Sequence, residues 1–142
     1  MIALLLATAT LASGDVPARY KTPAAARAVV ERYYAALDGG HYRTAYALWS
    51  DGGRASGKSY PDFVRGFART AHTRVIAGRP TGGEGAAGSV FITVPVTVTA
   101  TLKDGTRQRF RGTYVLRRVN DVPGATSTQL RWHLASARLR AA

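Results

Sequence analysis

The side chains able to do chemistry are few. Their densest group lies in the stretch from Tyr33 to Gly53, YYAALDGGHYRTAYALWSDGG, where five tyrosines or tryptophans surround Asp38, His41 and Asp51. A carboxylate or imidazole held among aromatic rings can move a proton, and the same rings can serve as the wall of a core or of a ligand pocket. The remaining histidines are His72 and His133, and Asp62 follows a Ser-Tyr-Pro helix start where it complements the helix dipole. Asp38 and Asp51 adjoin glycine pairs, a setting that favours turn and cap roles. Histidines at 41, 72 and 133 share no ligand spacing, so no metal is expected. Cysteine is absent, which removes thiol catalysis, thiolate zinc sites and a disulfide framework.

GEGAAG, 83–88, has the glycine spacing of a dinucleotide loop, but the strand-like SVFITVPVTV follows it. That loop needs a helix N-terminus facing the pyrophosphate. The segment GRPTGGEGAAGS is therefore read as a flexible connection between strands, and no cofactor is expected.

Charge is the other chemical resource. The chain has 142 residues and a net charge of +12, with eleven Lys or Arg against three Asp or Glu in residues 73–142. Arg107, Arg109, Arg111, Arg117 and Arg131 alternate with apolar residues in strand-like segments, which predicts a basic ladder on one sheet face. Such a ladder is either a solvated face that discourages edge aggregation or a docking face for an anionic surface or acidic protein. Nucleic acid is disfavoured, because threonine and not aromatic residues interleave with the arginines.

These groups must be positioned by the elements that the residue pattern predicts. Ile2 to Ala12 is an apolar run too short to span a bilayer, followed by small residues at Ala12 and Gly14. Residues 1–14 are read as a signal peptide, 15–22 as a short linker and 23–142 as one domain, periplasmic or secreted, with no transmembrane anchor after cleavage. Thr22 and Pro23 open a first helix that ends at Gly39 and Gly40. Tyr42, Ala45, Tyr46 and Trp49 share one face of a second. Ser59 and Pro61 open a third, with Phe63 and Phe67 one turn apart, ending near Thr73. A short strand is expected at 74–77.

From Val90 to Leu102 every even position is apolar, the mark of a long half-buried strand, and Pro95 within it implies a bulge or an edge. Asp104 and Gly105 turn the chain into a returning strand with Phe110, Gly112, Tyr114 and Leu116 inward. In the last strand Leu130, Trp132 and Leu134 face inward and His133 outward. Beyond Leu134 the alternation changes parity, which predicts a bulge.

Three helices followed by three or four antiparallel strands make an α+β fold in which one curved sheet wraps the helices. The segments ARAVVERYYAALDGGHYRTAYALW, SYPDFVRGF and QLRWHLASARLR resemble the nuclear transport factor 2-like superfamily, the cone shared with ketosteroid isomerases and scytalone dehydratases, over about 23–140. The resemblance implies a cavity between helices and sheet. Tyr34, Tyr46, Trp49, Phe63, Phe67, Phe110, Tyr114 and Trp132 would line its wall or fill the core and hold a small apolar ligand. It also implies that relatives with activity use a carboxylate base, or a histidine and aspartate, inside the cavity. Here that role would fall to His72 with Asp51 and Tyr34, in a cofactor-free isomerase, dehydratase or hydrolase. No carboxylate lies on an inward strand position, so a non-enzymatic binding domain is the preferred expectation. Relatives often form homodimers through the outer sheet face, which the five arginines would oppose.

Overall fold

Residues 16–142 are described in the structure, a computed structural model; the expected signal peptide, 1–14, lies outside them. Helix α1 spans Pro23–Asp38. The Thr22 hydroxyl accepts a hydrogen bond from the Ala25 amide at 3.1 Å, and Pro23 supplies a first-turn residue with no amide to satisfy. Gly40, at φ 72°, ends the helix in a conformation open to glycine. Ala26, Val29, Val30, Tyr33, Tyr34 and Leu37 recur at three- and four-residue spacing and are buried against the sheet.

Helix α2 is a short Tyr42–Ala47, so Trp49 leaves the helix. It is held instead by backbone pairing with the last strand: the Ser50 amide donates to Leu134 O and the Leu134 amide to Leu48 O, both at 2.8 Å. Helix α3, Tyr60–Gly66, is capped by the Ser59 hydroxyl, which accepts from the Asp62 amide. It ends about seven residues earlier than the spacing predicts. The following chain, rich in β-branched residues, forms strand β1, Thr70–Ala77, so His72 lies on a strand and not near a helix end.

Strands β2, Thr81–Ala86, β3, Ser89–Leu102, β4, Arg107–Val119, and β5, His133–Ala141, complete one antiparallel sheet with the order β1-β3-β4-β5. The glycine-rich segment expected as a connection is β2, which pairs with β3 through an irregular register between Gly82 and Gly85. Pro95 is neither at an edge nor in a bulge. Pairing of β3 with β1 reaches Val96 and pairing with β2 begins at Thr93, so Pro95 sits in the gap between them, where a missing amide breaks no ladder bond. Its carbonyl still accepts from the Gly78 amide at 2.7 Å.

The parity change after Leu134 is a bulge: Leu116 pairs with Leu134, but Val115 pairs with Ser136, so Ala135 is the extra residue. Leu139 then pairs with Gly112 on the inner face, while Arg138 and Arg140 turn outward. Gly112 permits that approach, since a Cβ there would stand 1.8 Å from Arg138 O. Strand β5 starts at His133, so Leu130, Arg131 and Trp132 precede it and do not follow its alternation. Leu130 packs with Val16 and Ala125 in a small second cluster. Trp132 joins the main core, and its indole N–H donates to Thr22 O at 3.0 Å.

Candidate functional site

The mouth of the cone, between the end of α1, the end of α3 and the inner sheet face, is a cavity of about 380 Å³. Helix α1 contributes Tyr33, Tyr34 and Leu37, and the end of α3 contributes Gly66 and Phe67. From the sheet come Thr70 and Thr73 of β1, Val98 and Ala100 of β3, Gln108, Phe110 and Tyr114 of β4, and Leu139 of β5. Strand alternation explains the set. Thr73, Ala100 and Gln108 form one inward row, Val75, Val98 and Phe110 the next, and Tyr114 lies two rows deeper opposite Val94.

Two tyrosines define the polar character of this wall. The Tyr34 and Tyr114 hydroxyls meet at 2.6 Å, buried, with their rings edge to face. Burial pushes the Tyr34 phenol up to about 12, partly offset by the bond to Tyr114, and also pushes the Tyr114 phenol well above its ordinary value. Tyr33 is raised by the same desolvation. All three are therefore neutral at physiological pH.

The aromatic residues expected as a wall divide into two groups. Tyr34, Phe67, Phe110 and Tyr114 line the cavity. Trp49 and Phe63 are buried behind it, packed on Tyr33 at ring separations of 5.9 and 6.4 Å. Tyr46 turns toward Tyr60 and donates its hydroxyl to Lys58 O at 2.7 Å, and Trp132 lies beside α1 near Val29. Tyr33, Leu37 and Gln108 were missing from the expected lining. Gln108 was within reach, because it shares the parity of Phe110.

The catalytic trio does not assemble. The His72 side chain is 72% exposed, with Nδ1 3.2 Å from Asp38 Oδ1, so its carboxylate partner is Asp38 and not Asp51. Asp38 also accepts from the Thr73 amide at 3.0 Å, and this bond, with His72 and Arg74 nearby, holds its carboxyl below the ordinary range. The Asp38 carboxylate thus covers part of the free edge of β1. Asp51, at φ 57°, lines a separate cleft with Arg117, Arg118 and His133. Tyr34 is inside the cone, apart from both. His41 precedes α2 without capping it, and Asp62 pairs with Arg65 on the surface of α3.

On the outer sheet face, Arg107, Arg109, Arg111 and Arg117 of β4 stand opposite Thr101, Thr99, Thr97 and Phe91 of β3. Arg131 is not part of this ladder, because the strand begins after it; its guanidinium lies over the Tyr20 ring at 4.1 Å from the centroid. Arg74, Arg138 and Arg140, absent from the expected ladder, do join the face. Among the described residues no group of three His, Cys, Asp or Glu could hold a metal ion.

No protein-family model and no curated protein matches the sequence. Among solved structures the chain is similar to a candidate aromatic ring hydroxylase from Novosphingobium aromaticivorans, at 12% identity and TM-score 0.61 over 90% of this chain and 96% of that one. It is also similar to a candidate scytalone dehydratase from the same bacterium, at 13% identity and TM-score 0.55 over 81% and 80% of the two chains. The chain has the nuclear transport factor 2-like cone fold, with helices packed on a curved five-stranded antiparallel sheet.

Proposed function

We propose that the chain is an exported, non-enzymatic domain that binds a small, mostly apolar molecule carrying an oxygen acceptor in the cavity at the mouth of the cone. The observation that carries this reading is the hydroxyl pair on the cavity wall. Tyr34 and Tyr114 bring two hydroxyl hydrogens, and their 2.6 Å bond uses one. The other has no acceptor among the described residues, so the pair retains one donor for a ligand oxygen. The rest of the wall is Tyr33, Leu37, Phe67, Val98, Phe110, Leu139 and small or amide side chains, in a volume of about 380 Å³ suited to a compound of one or two rings.

Support for binding over catalysis comes from the same wall. Its lining includes no carboxylate, imidazole or amine, and its phenols are held protonated, so it offers no group to take a proton at neutral pH. The leader-like composition of residues 1–14 supports export.

The test is a calorimetric and NMR titration with 2-naphthol and naphthalene. The parent should bind both, with 2-naphthol tighter and shifts centred on Phe67, Phe110 and Tyr114. In the double variant Tyr34→Phe/Tyr114→Phe the preference for 2-naphthol should fall about five- to ten-fold, the worth of one hydrogen bond, while naphthalene binding is unchanged. Absence of binding up to the solubility limit, or shifts confined to another surface, would overturn the reading. Chemical conversion of a probe would transfer weight to the enzymatic alternative.

A further inference from the structure

The outer face of the sheet has a composition that neither the core nor the cavity requires. Strands β1, β3, β4 and β5 contain no Asp or Glu, yet they place seven arginines on this one face. Arg74 aligns through Thr99 with Arg109, and Thr97 aligns through Arg111 with Arg140. Arg107 and Arg138 extend the patch on either side, and Arg117 continues it toward the far end of β4. None of the seven forms an ion pair among the described residues, whereas Lys21, Arg27, Arg65 and Arg118 all do.

Two large apolar side chains share the face. Ile76, in the row of Thr97, Arg111 and Arg140, is 75% exposed, and Phe91, opposite Arg117, is 45% exposed. They are the most exposed isoleucine and phenylalanine of the described chain, and they lie beside the arginines of β4 and β5 about 20 Å apart, six residues along β3 plus one strand spacing.

We propose that this face docks on the surface of an anionic phospholipid bilayer, with the arginines at the lipid phosphates and Ile76 and Phe91 entering the interface. Guanidinium forks spaced by the strand repeat meet phosphate oxygens through paired N–H donors, and the intervening threonine hydroxyls can donate to the same layer. A second copy of the chain would set seven guanidiniums against seven without acids to relieve them. A nucleic acid strand would find one exposed ring, too few for a stacking platform. A soluble acidic protein would satisfy the charges but gives Ile76 and Phe91 no particular role. No helix of the described residues is long and apolar enough to cross a membrane.

The experiment is co-sedimentation of the full chain with vesicles of phosphatidylcholine alone and vesicles in which half the lipid is phosphatidylglycerol, at low and at physiological salt. Any hold by the apolar segment 2–12 would act on both vesicle types alike, so the difference between them reports the basic face. The parent should favour the anionic vesicles, and the preference should decline steeply with salt. Replacing Arg107, Arg109 and Arg111 together by Gln should lower it on the order of 100-fold, at about five-fold per charge, while replacing the three by Lys should retain most of it. Ile76→Ser should lower it about three- to ten-fold with the salt dependence unchanged. Circular dichroism and the thermal midpoint should match the parent in each variant.

Equal binding to the two vesicle types, or a triple Gln variant equal to the parent, would overturn the proposal. So would a stable dimer that buries this face, seen by light scattering. Equal binding to soluble polyglutamate that ignores Ile76→Ser would reassign the face to an acidic protein.

Discussion

Replacing Trp132 by alanine tests the packing between the sheet, the N-terminal segment and α1 at one point. Trp132 is 3% exposed, its ring lies under the Arg118 guanidinium at 5.4 Å, and its N–H is bonded to Thr22 O. Truncation returns roughly 150 Å² of apolar surface to water, about 4 kcal/mol at 25 cal/mol per Å². Loss of the indole hydrogen bond adds about 1 kcal/mol. No orphaned acceptor adds to this, because Thr22 O also receives the Ala26 amide at 3.2 Å. The expected total is therefore about 4–5 kcal/mol, within the range for large aromatic truncations.

Trp132→Phe keeps most of the packing and should cost about 1.5–2 kcal/mol, the hydrogen bond plus part of a ring. Urea unfolding followed by fluorescence of Trp49 and by circular dichroism measures both, with the slope held common. An alanine variant with the parent's midpoint would refute the placement of Trp132 in the core. A phenylalanine variant as weak as the alanine one would mean that the bond to Thr22, and not the ring, dominates.

Tyr34→Phe or Tyr114→Phe alone strands the surviving hydroxyl and should cost about 1–2 kcal/mol, while the double variant should cost about 1 kcal/mol less than the sum; strictly additive values from urea curves would refute the hydroxyl pair. Tyr33, Tyr34 and Tyr114 have folded values raised above the unfolded value of about 10, so their contribution is intact below pH 10 and is lost as pH rises beyond it, for Tyr34 through about 12. Stability should decline by up to about 1.4 kcal/mol per pH unit for each of them. Absorbance titration should leave three of the seven tyrosines un-ionised near pH 10.5 until the chain unfolds; ionisation of all seven with the fold intact would contradict it. Thr22→Ala removes the acceptor for the Ala25 amide and should lower the urea midpoint by the equivalent of about 1 kcal/mol, whereas Thr22→Ser should retain it.

The helices and strands that were legible in the sequence are those fixed by local rules. Thr22-Pro23 and Gly39-Gly40 bound α1 without any tertiary contact, and the two-residue period of Val90–Leu102 gives β3 its facing. Where contacts distant in sequence decide, the pattern misled. Trp49 continues a helical spacing but is captured by Leu134, and the apolar Leu130 and Trp132 mimic a strand but serve the N-terminal segment and α1. β2 has almost no side chains to announce it, since Thr81–Ala86 is half glycine and is held by backbone pairing alone.

For the site, residue types were readable and distances were not. Inward parity gave Phe110 and Tyr114. That Tyr34 would meet Tyr114, or that His72 would find Asp38 and not Asp51, depends on how α1 lies across β1 and β4, which no local pattern encodes.

The bulge at Ala135 has a consequence for how this protein can vary. Were Ala135 drawn into the regular ladder, each side chain after it would change sides: Arg138 and Arg140 would swing into the cone against Gly112 and Phe110, and Leu139 would swing out to the arginine face. The sidedness of the last strand is thus carried by a count and not by a residue type, in the way a reading frame carries a message. Substitutions at Ala135 should be mild, and deletion of one residue from 135 to 137 should close the bulge and leave Arg138, Leu139 and Arg140 facing as they do. Loss of one residue here is absorbed by closing the bulge, whereas loss of two would turn Arg138 and Arg140 inward, so this short run of small residues is less free to change in length than the long exposed loop at 120–129.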